Sequence, residues 1–454
     1  MFRRNGRVYR ALDDAAAREW ESALRSGFVL REMDAGRIVR TTGVSPPPPG
    51  LYGDRWAGVV EHSAVPFISY PYEWTFGMLR DAALLQLELI DAALEEALIF
   101  KDATPYNLQF CDASPVFIDT ASIVRYTNGE PWAGYRQFCE LFLNPLLLQA
   151  CRGVEPQSLL RGSLDGISPE TLSRMLSLRD LFRRGVFAHV FVHARMQRQF
   201  RVAERDTRQS LKSHGFGKKL IRANVHSLRR MVERLQWRGG LSTWSDYESR
   251  CPHVQIDLAA KEAFVRTIAA ARRRRLVWDL GCNVGRFSLI AAEHADCVVA
   301  MDSDQQAVDA LYGRLRGERV RGVLPLVVDL ADPSPARGWR GLERRDLPSR
   351  GRPDLTLCLA VLHHLVIGRN VLLQEVVDWF AELGTELVIE FVAKEDPQTQ
   401  ILLRNRPDQY ADYKVESFER LLSERFRISR RETLPSGTRT LFYATPLAAT
   451  QVSC

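Results

Sequence analysis

Asp279, Gly281, Asn283 and Gly285 fall within one ten-residue run, DLGCNVGRFS, in which an acid precedes a small-residue turn and an apolar helical pattern follows it. Such a turn brings backbone N–H groups against a ligand at a helix N-terminus. A nucleoside triphosphate would need GxxxxGK[ST], and no Lys-Ser/Thr pair follows here. A dinucleotide would need G-x-G-x-x-G and positive potential for its pyrophosphate. Asp279 stands at the predicted strand end, where that phosphate would lie.

The remaining ligand class carries no phosphate. S-adenosylmethionine brings an ammonium, a carboxylate and a cationic sulfur, and an acidic strand end beside a small-residue turn suits it. Asp302 closes the next predicted strand, 23 positions after Asp279, where an acid can take both ribose hydroxyls. Asp329 follows LPLVV at the third strand end, placed to receive the adenine amino group.

With DLGCNVGRFS, VVAMDSD, VVDLADPSP and DLTLCLAVLHHL in order, residues 244–446 resemble a class I S-adenosylmethionine-dependent methyltransferase. The resemblance implies a Rossmann-like α/β domain with a seven-stranded sheet whose last strand is antiparallel. It also implies that Asp279, Gly281, Gly285, Asp302 and Asp329 line the cofactor site. Asn283 stands where many members carry glycine, and asparagine enters left-handed conformations easily. The whole chain resembles bacterial methyltransferases of specialised or glycan-related metabolism, nodulation-associated ones among them.

The fourth predicted strand ends in AVLHHL. Ligands in this fold lie at the carboxyl ends of strands, so His363 and His364 border the transferred methyl. A histidine there serves as base or acceptor clamp for methylation of oxygen or carbon, or it packs and merely shapes the pocket. No Asn/Asp-Pro-Pro-Tyr segment is present, which by family analogy argues against methylation of nucleobase amino groups. Glu390 ends the fifth strand at the expected pocket rim, and Arg404, Arg406 and Tyr410 follow in a polar insertion suited to capping an acceptor. A second insertion, PSPARGWRGLER, places Trp339 in what would otherwise be a simple turn. No metal site is expected.

Residues 78–122 carry a fainter pattern. Asp102, Asn107 five residues later, and Asp119 after an apolar strand resemble the catalytic loop and metal-binding acid of protein-kinase-like folds. No glycine-rich loop precedes them, and Lys101 is the first lysine of the chain, so the phosphate-pairing lysine of an early strand is missing. Two readings stand together: a degenerate kinase-like scaffold, and a capped turn between a helix and a strand.

The elements that must hold these residues follow from pattern. From position 275 onward, RLVWDL, CVVAMD, LPLVVD, LTLCLA, ELVIEF, FRISRRET and RTLFYAT alternate mostly with helical segments, predicting a mainly parallel sheet covered on both faces. Nearer the start, GFVLREM and GRIVRTT read as strands, SPPPPG as a break, residues 78–100 as one helix, and WAGYRQFCELFLNPLLLQA as another. SPETLSRMLSLRDLFRRG opens with Ser168 as a cap. Three segments are expected: an α+β accessory domain over 1–195, a basic helical connector over 196–243, and the methyltransferase domain over 244–447.

The 454 residues carry a net charge of +7, but Arg195 to Arg238 alone carry +10, leaving −3 on the remainder. That segment reads as a polyanion contact or as a helix with a solvated basic face and Leu220, Leu228 and Leu235 turned inward, the second being favoured because aromatics are sparse. A hydrophobic fraction of 46% with 26% charged residues is that of a globular protein. No apolar run approaches a membrane span, the basic start lacks an apolar stretch, and eight scattered cysteines form no CxxC pair. The expectation is a cytoplasmic enzyme with a small-molecule or glycan acceptor and no membrane partner. An RNA methyltransferase and a cofactor-binding scaffold without turnover are the alternatives.

Overall fold

The computed structural model describes residues 1–4, 6–45, 56–177, 179–180, 186, 189–190, 217–237, 239, 252–404 and 409–447. The proline run, most of the basic segment before residue 217, Trp244 and its neighbours, Arg406, Cys251 and Cys454 lie outside them. The chain forms two compact units, Met1–Gly239 and Gly240–Cys454.

The first unit opens with a four-stranded antiparallel sheet of β1 (Phe2–Arg4), β2 (Arg7–Leu12), β3 (Thr41–Gly43) and β4 (Gly58–His62), in the order β1-β2-β4-β3. Between β2 and β3 lie α1 (Asp14–Arg25) and α2 (Phe28–Asp34). GFVLREM is therefore helical, not extended. Its Leu, Met, Glu and Arg favour a helix, and the turn buries Phe28, Val29 and Met33 together. α3 (Phe76–Glu95) starts at Thr75, whose hydroxyl accepts from the Met78 amide, and stops earlier than the composition predicts. Ala97 adopts φ +55°, ending the helix, and Leu98–Phe100 becomes strand β5.

β6 (Leu108–Cys111) and β7 (Ser114–Phe117) form a hairpin, and β8 (Ile123–Arg125) pairs with β5. The second predicted helix is a composite: Tyr135–Phe138, a π turn over Cys139–Leu143, then α4 (Asn144–Arg152) with Pro145 in its first turn. Ser168 caps α5 (Pro169–Met175) through the Thr171 amide. The basic helix α6 (Lys218–Arg234) packs on α3 within this unit. It buries Ile221, Val225, Leu228 and Val232 at helical spacing, whereas Leu220, expected inward, is exposed. Its cations meet acids: Arg222 reaches Asp91 at 2.7 Å and Glu95 at 3.0 Å, and Arg229 reaches Glu233 at 2.9 Å.

The second unit begins with α7 (Pro252–Ala270) and then alternates: β9 (Arg274–Leu280), α8 (Arg286–Ala292), β10 (Ala295–Asp302), α9 (Gln305–Glu318), β11 (Val323–Val327), β12 (Leu355–Cys358), α10 (Leu373–Leu383), β13 (Glu386–Val392), α11 (Pro397–Leu403), α12 (Val415–Arg425), β14 (Phe426–Thr433) and β15 (Arg439–Pro446). All seven expected strands are present, in the order β11-β10-β9-β12-β13-β15-β14. β15 runs antiparallel to both of its neighbours. The central strands read as nearly unbroken apolar runs because helices cover both of their faces. The order reverses between β9, β10 and β12, and this switch point opens a crevice at the carboxyl ends of the strands.

Candidate functional site

A cavity of about 450 Å³ occupies that crevice. Its floor is the turn after β9. Gly281 at φ +75°, Asn283 at φ +50° and Gly285 at φ +80° are all left-handed, so asparagine does take the conformation that glycine usually supplies. The turn is pinned from below, since the Gly281 and Cys282 amides donate to the Met301 carbonyl at 2.8 and 3.0 Å. Neither glycine tolerates a side chain. A Cβ on Gly281 would lie 2.2 Å from Val361 Cγ2, and one on Gly285 would lie 2.4 Å from Leu311 Cδ1.

Gly281, Asn283, Asp302, Asp329, His363 and His364 all face the cavity. Asp302 Oδ2 accepts from the Asn283 amide and Oδ1 from the Asp304 amide, both at 2.9 Å. Burial raises its pKa above the ordinary carboxylate value, and these backbone donors work against that rise. Asp329 binds Arg369 Nη2 at 2.6 Å and accepts from the Ala331 amide at 3.0 Å. Arg369, also on the cavity wall, carries no motif and was missed in the sequence.

Asp279 and Gly285 are placed differently. Asp279 is 1% exposed and lies outside the cavity lining, with Ser288 Oγ donating to its Oδ2 at 2.5 Å. Desolvation pushes its pKa up to about 7, partly offset by the Ser288 bond. It therefore braces the turn and the start of α8. Gly285 sits behind the cavity as the first contact of that helix with Leu311.

The opposite wall was only partly legible. Beyond β12, Ala360 at φ +55° turns the chain into the two histidines, and a π turn follows over His364–Gly368. The rings of His363 and His364 lie 4.1 Å apart, and His363 Nδ1 is buried without a hydrogen-bond partner. Burial is the largest cause holding His363 well below the usual imidazole value, followed by the fields of His364, Arg439 and Lys261. Burial and Arg439 lower His364 too. Both rings are neutral near pH 7, so either can accept a proton and neither supplies a positive charge.

Lys261 from α7 and Arg439 from the start of β15 complete this wall. Lys261 Nζ lies 2.7 Å from Glu390 Oε1, and Arg439 Nη1 lies 3.3 Å from the same oxygen. Arg439 also grips Asp396 through Nε at 2.7 Å and Nη2 at 3.1 Å. Glu390 is thus a fully buried hub behind the wall, not the rim residue the sequence suggested. Tyr410 is buried as well, its hydroxyl donating to the Ile367 carbonyl at 3.1 Å and bonding Asn370. It pins the insertion to the loop after β12 and does not line the cavity, and neither does Arg404. Nothing local marks either cation: Lys261 stands between Ala260 and Glu262, and Arg439 between Thr438 and Thr440.

No family model matches the chain. Nodulation protein NoeA of Rhizobium meliloti (strain 1021) is 35% identical over 445 residues, covering 97% of this chain and 93% of the relative. The chain belongs to the NoeA family. Among solved structures, the N-methyltransferase NodS from Bradyrhizobium japonicum WM9 matches 42% of this chain and 97% of its own, at 14% identity and a TM-score of 0.32. Magnesium protoporphyrin IX methyltransferase from Synechocystis PCC 6803 matches 43% and 88%, at 18% identity and 0.31. The bifunctional kinase-methyltransferase WbdD matches 44% and 40%, at 21% identity and 0.30.

In the first unit, Asn107 closes a single turn over Pro105–Asn107, capped by Thr104 and lying between β5 and β6. The capped-turn reading thus has the right geometry but joins two strands, not a helix and a strand. Asp119 is engaged by Arg10 of β2, with Nη1 to Oδ1 at 2.5 Å. No group of metal-binding side chains occurs among the described residues.

Proposed function

We propose that the second unit is a class I methyltransferase that uses S-adenosylmethionine to methylate a hydroxyl or carbon of a small-molecule or glycan acceptor. One observation carries this reading. A single cavity at the carboxyl ends of the strands joins the left-handed turn, Asp302, Asp329 and the two neutral histidines. The donor set suits the cofactor. Asp302 retains acceptor capacity for a ribose diol beyond its backbone bonds, and Asp329 offers an acceptor at the end of β11 for an adenine amino group. Asp279 acts indirectly, through the turn that it braces.

When bound, the cofactor supplies an electrophilic methyl on a cationic sulfur. The chain's own part is to bind, orient and deprotonate. His363 lines the cavity and is neutral, the form in which a ring nitrogen can accept a proton, although its Nδ1 is itself buried. Burial first, then the fields of His364, Arg439 and Lys261, hold it neutral and make it a weak base, suited to clamping an acceptor hydroxyl as well as to taking its proton. An RNA acceptor is disfavoured because Arg222 and Arg229 of α6 are already engaged by Asp91, Glu95 and Glu233. The first unit is read as an accessory scaffold of degenerate kinase-like form. Phosphotransfer is not proposed for it, since Arg10 already neutralises Asp119.

Calorimetric titration of S-adenosylmethionine into the full chain, beside Asp302→Ala, tests the reading. Binding by the wild type, weakened at least about tenfold in the variant, is expected from the loss of a charged acceptor in a buried site. A folded wild type that binds no cofactor overturns the proposal.

A further inference from the structure

Six large apolar side chains of the second unit are exposed among the described residues: Ile256, Trp339, Leu342, Leu372, Ile401 and Leu447. Their distribution is uneven. Ile256 lies two positions before Leu258, Ile401 three positions after Gln398, and Trp339 and Leu342 on the segment that begins with Val328 and Asp329, all four of these anchors being cavity-lining residues. Leu372 ends the segment that starts with the lining residues Leu359–His364. Five of the six thus lie on segments that build the cavity wall. Leu447 follows the antiparallel strand β15, at the other end of the sheet.

The most exposed pair sits on one projection. Residues 337–344 fold back on themselves through an antiparallel bridge between Arg337 and Arg344. At the tip Trp339 is 79% and Leu342 72% exposed. The segment carries Arg337, Arg340, Arg344 and Arg345 against a single acid, Glu343; Arg340 and Arg345 are exposed, whereas Arg344 turns back on Glu343 at 3.2 Å. A tryptophan and a leucine raised on a cationic turn have the composition of an interfacial anchor, in which apolar side chains enter the acyl boundary and arginines meet anionic headgroups.

We propose that the second unit docks on an anionic lipid bilayer through the 337–345 tip, which lies on the connection between β11 and β12. The charge of the tip complements such a surface, and separate projecting side chains need no matching groove. No described helix is long and apolar enough to cross a membrane. The expectation of no membrane partner rested on the absence of a span, which surface docking does not require. One consequence rests on the methyl-transfer reading: docking through this tip would bring the second unit to an acceptor anchored in the bilayer.

Co-sedimentation of the full chain with phosphatidylcholine vesicles, with and without phosphatidylglycerol, tests the docking without cofactor or acceptor. The wild type is expected to sediment with the anionic vesicles, to prefer them to pure phosphatidylcholine, and to be released by salt. The double substitution Trp339→Ser, Leu342→Ser should lower partitioning at least about tenfold, and Arg340→Ser should reduce the preference for anionic vesicles. Both variants change exposed positions, so their circular dichroism and cofactor titration should match the wild type. A folded wild type that ignores anionic vesicles overturns the proposal and leaves the tip to a protein partner. A double variant that binds like the wild type overturns it also. Failure of the cofactor titration alone would refute methyl transfer and leave the docking result standing.

Discussion

Replacing Asp279 by asparagine should stabilise the second unit above neutral pH and leave it nearly unchanged in mild acid. The folded chain pushes this carboxyl from 3.8 up to about 7 by burying it. Below the lower value both folded and unfolded states hold the proton. Between the two values the folded state keeps it and the unfolded state releases it, so Asp279 costs stability progressively as pH rises. Above about pH 7 the cost is complete. A shift of about three units at 1.36 kcal/mol each amounts to roughly 4 kcal/mol. Asparagine keeps an oxygen for the Ser288 hydroxyl and never ionises. For a unit of this size the melting temperature of Asp279→Asn should exceed that of the wild type by roughly 10 °C at pH 8, and by little at pH 4. Calorimetric melts of both proteins across that range provide the measurement. A difference that does not grow with pH would falsify the claim that a buried, proton-holding Asp279 braces the turn.

Gly285→Ala combines a left-handed backbone with a Cβ 2.4 Å from Leu311 Cδ1, so chemical denaturation should show a loss of about 2–3 kcal/mol; a loss below about 0.5 kcal/mol would mean the turn is not held as described. Glu390→Gln leaves Lys261 and Arg439 without their shared carboxylate. It should cost about 3–5 kcal/mol in the same assay, more than Lys261→Met, after which Arg439 still holds the acid.

The fold of the second unit was legible because parallel strands covered on both faces must be apolar, and the first three runs from 275 onward, RLVWDL, CVVAMD and LPLVVD, each ended at a glycine turn or an acid. The half of the cavity built on the turn after β9 was legible for a related reason. Left-handed positions and strand-end acids are backbone requirements, local in sequence, and Gly281, Asn283 and Asp302 show them directly. Nothing local marked Lys261, Arg439 or Arg369. They come from a helix before the first strand of the sheet, from its last strand, and from a loop, and only the fold brings them to one cavity. Asp279 stands at the expected strand end but is buried outside the cavity lining, because a motif gives position and not burial. In the first unit, short strands interrupted by helices defeated periodicity. GFVLREM has the residue mix of either state, and packing decided for the helix.

The wall behind the histidines bears on what the cavity can hold. Asp257, Glu390 and Asp396 face Lys261 and Arg439, and all five are buried. Buried ion pairs of this kind rarely stabilise a fold more than apolar side chains of similar volume would, because desolvation costs about as much as attraction returns. Stability alone therefore does not account for placing two cations and three acids there. Lys261 and Arg439 do act at the site: after burial and the neighbouring His364, their charges help to hold His363 neutral, and of the five residues only these two line the cavity. Glu390 and Asp396 hold these two cations from behind, so the charge that this wall presents to the cavity is set by residues far from the turn after β9.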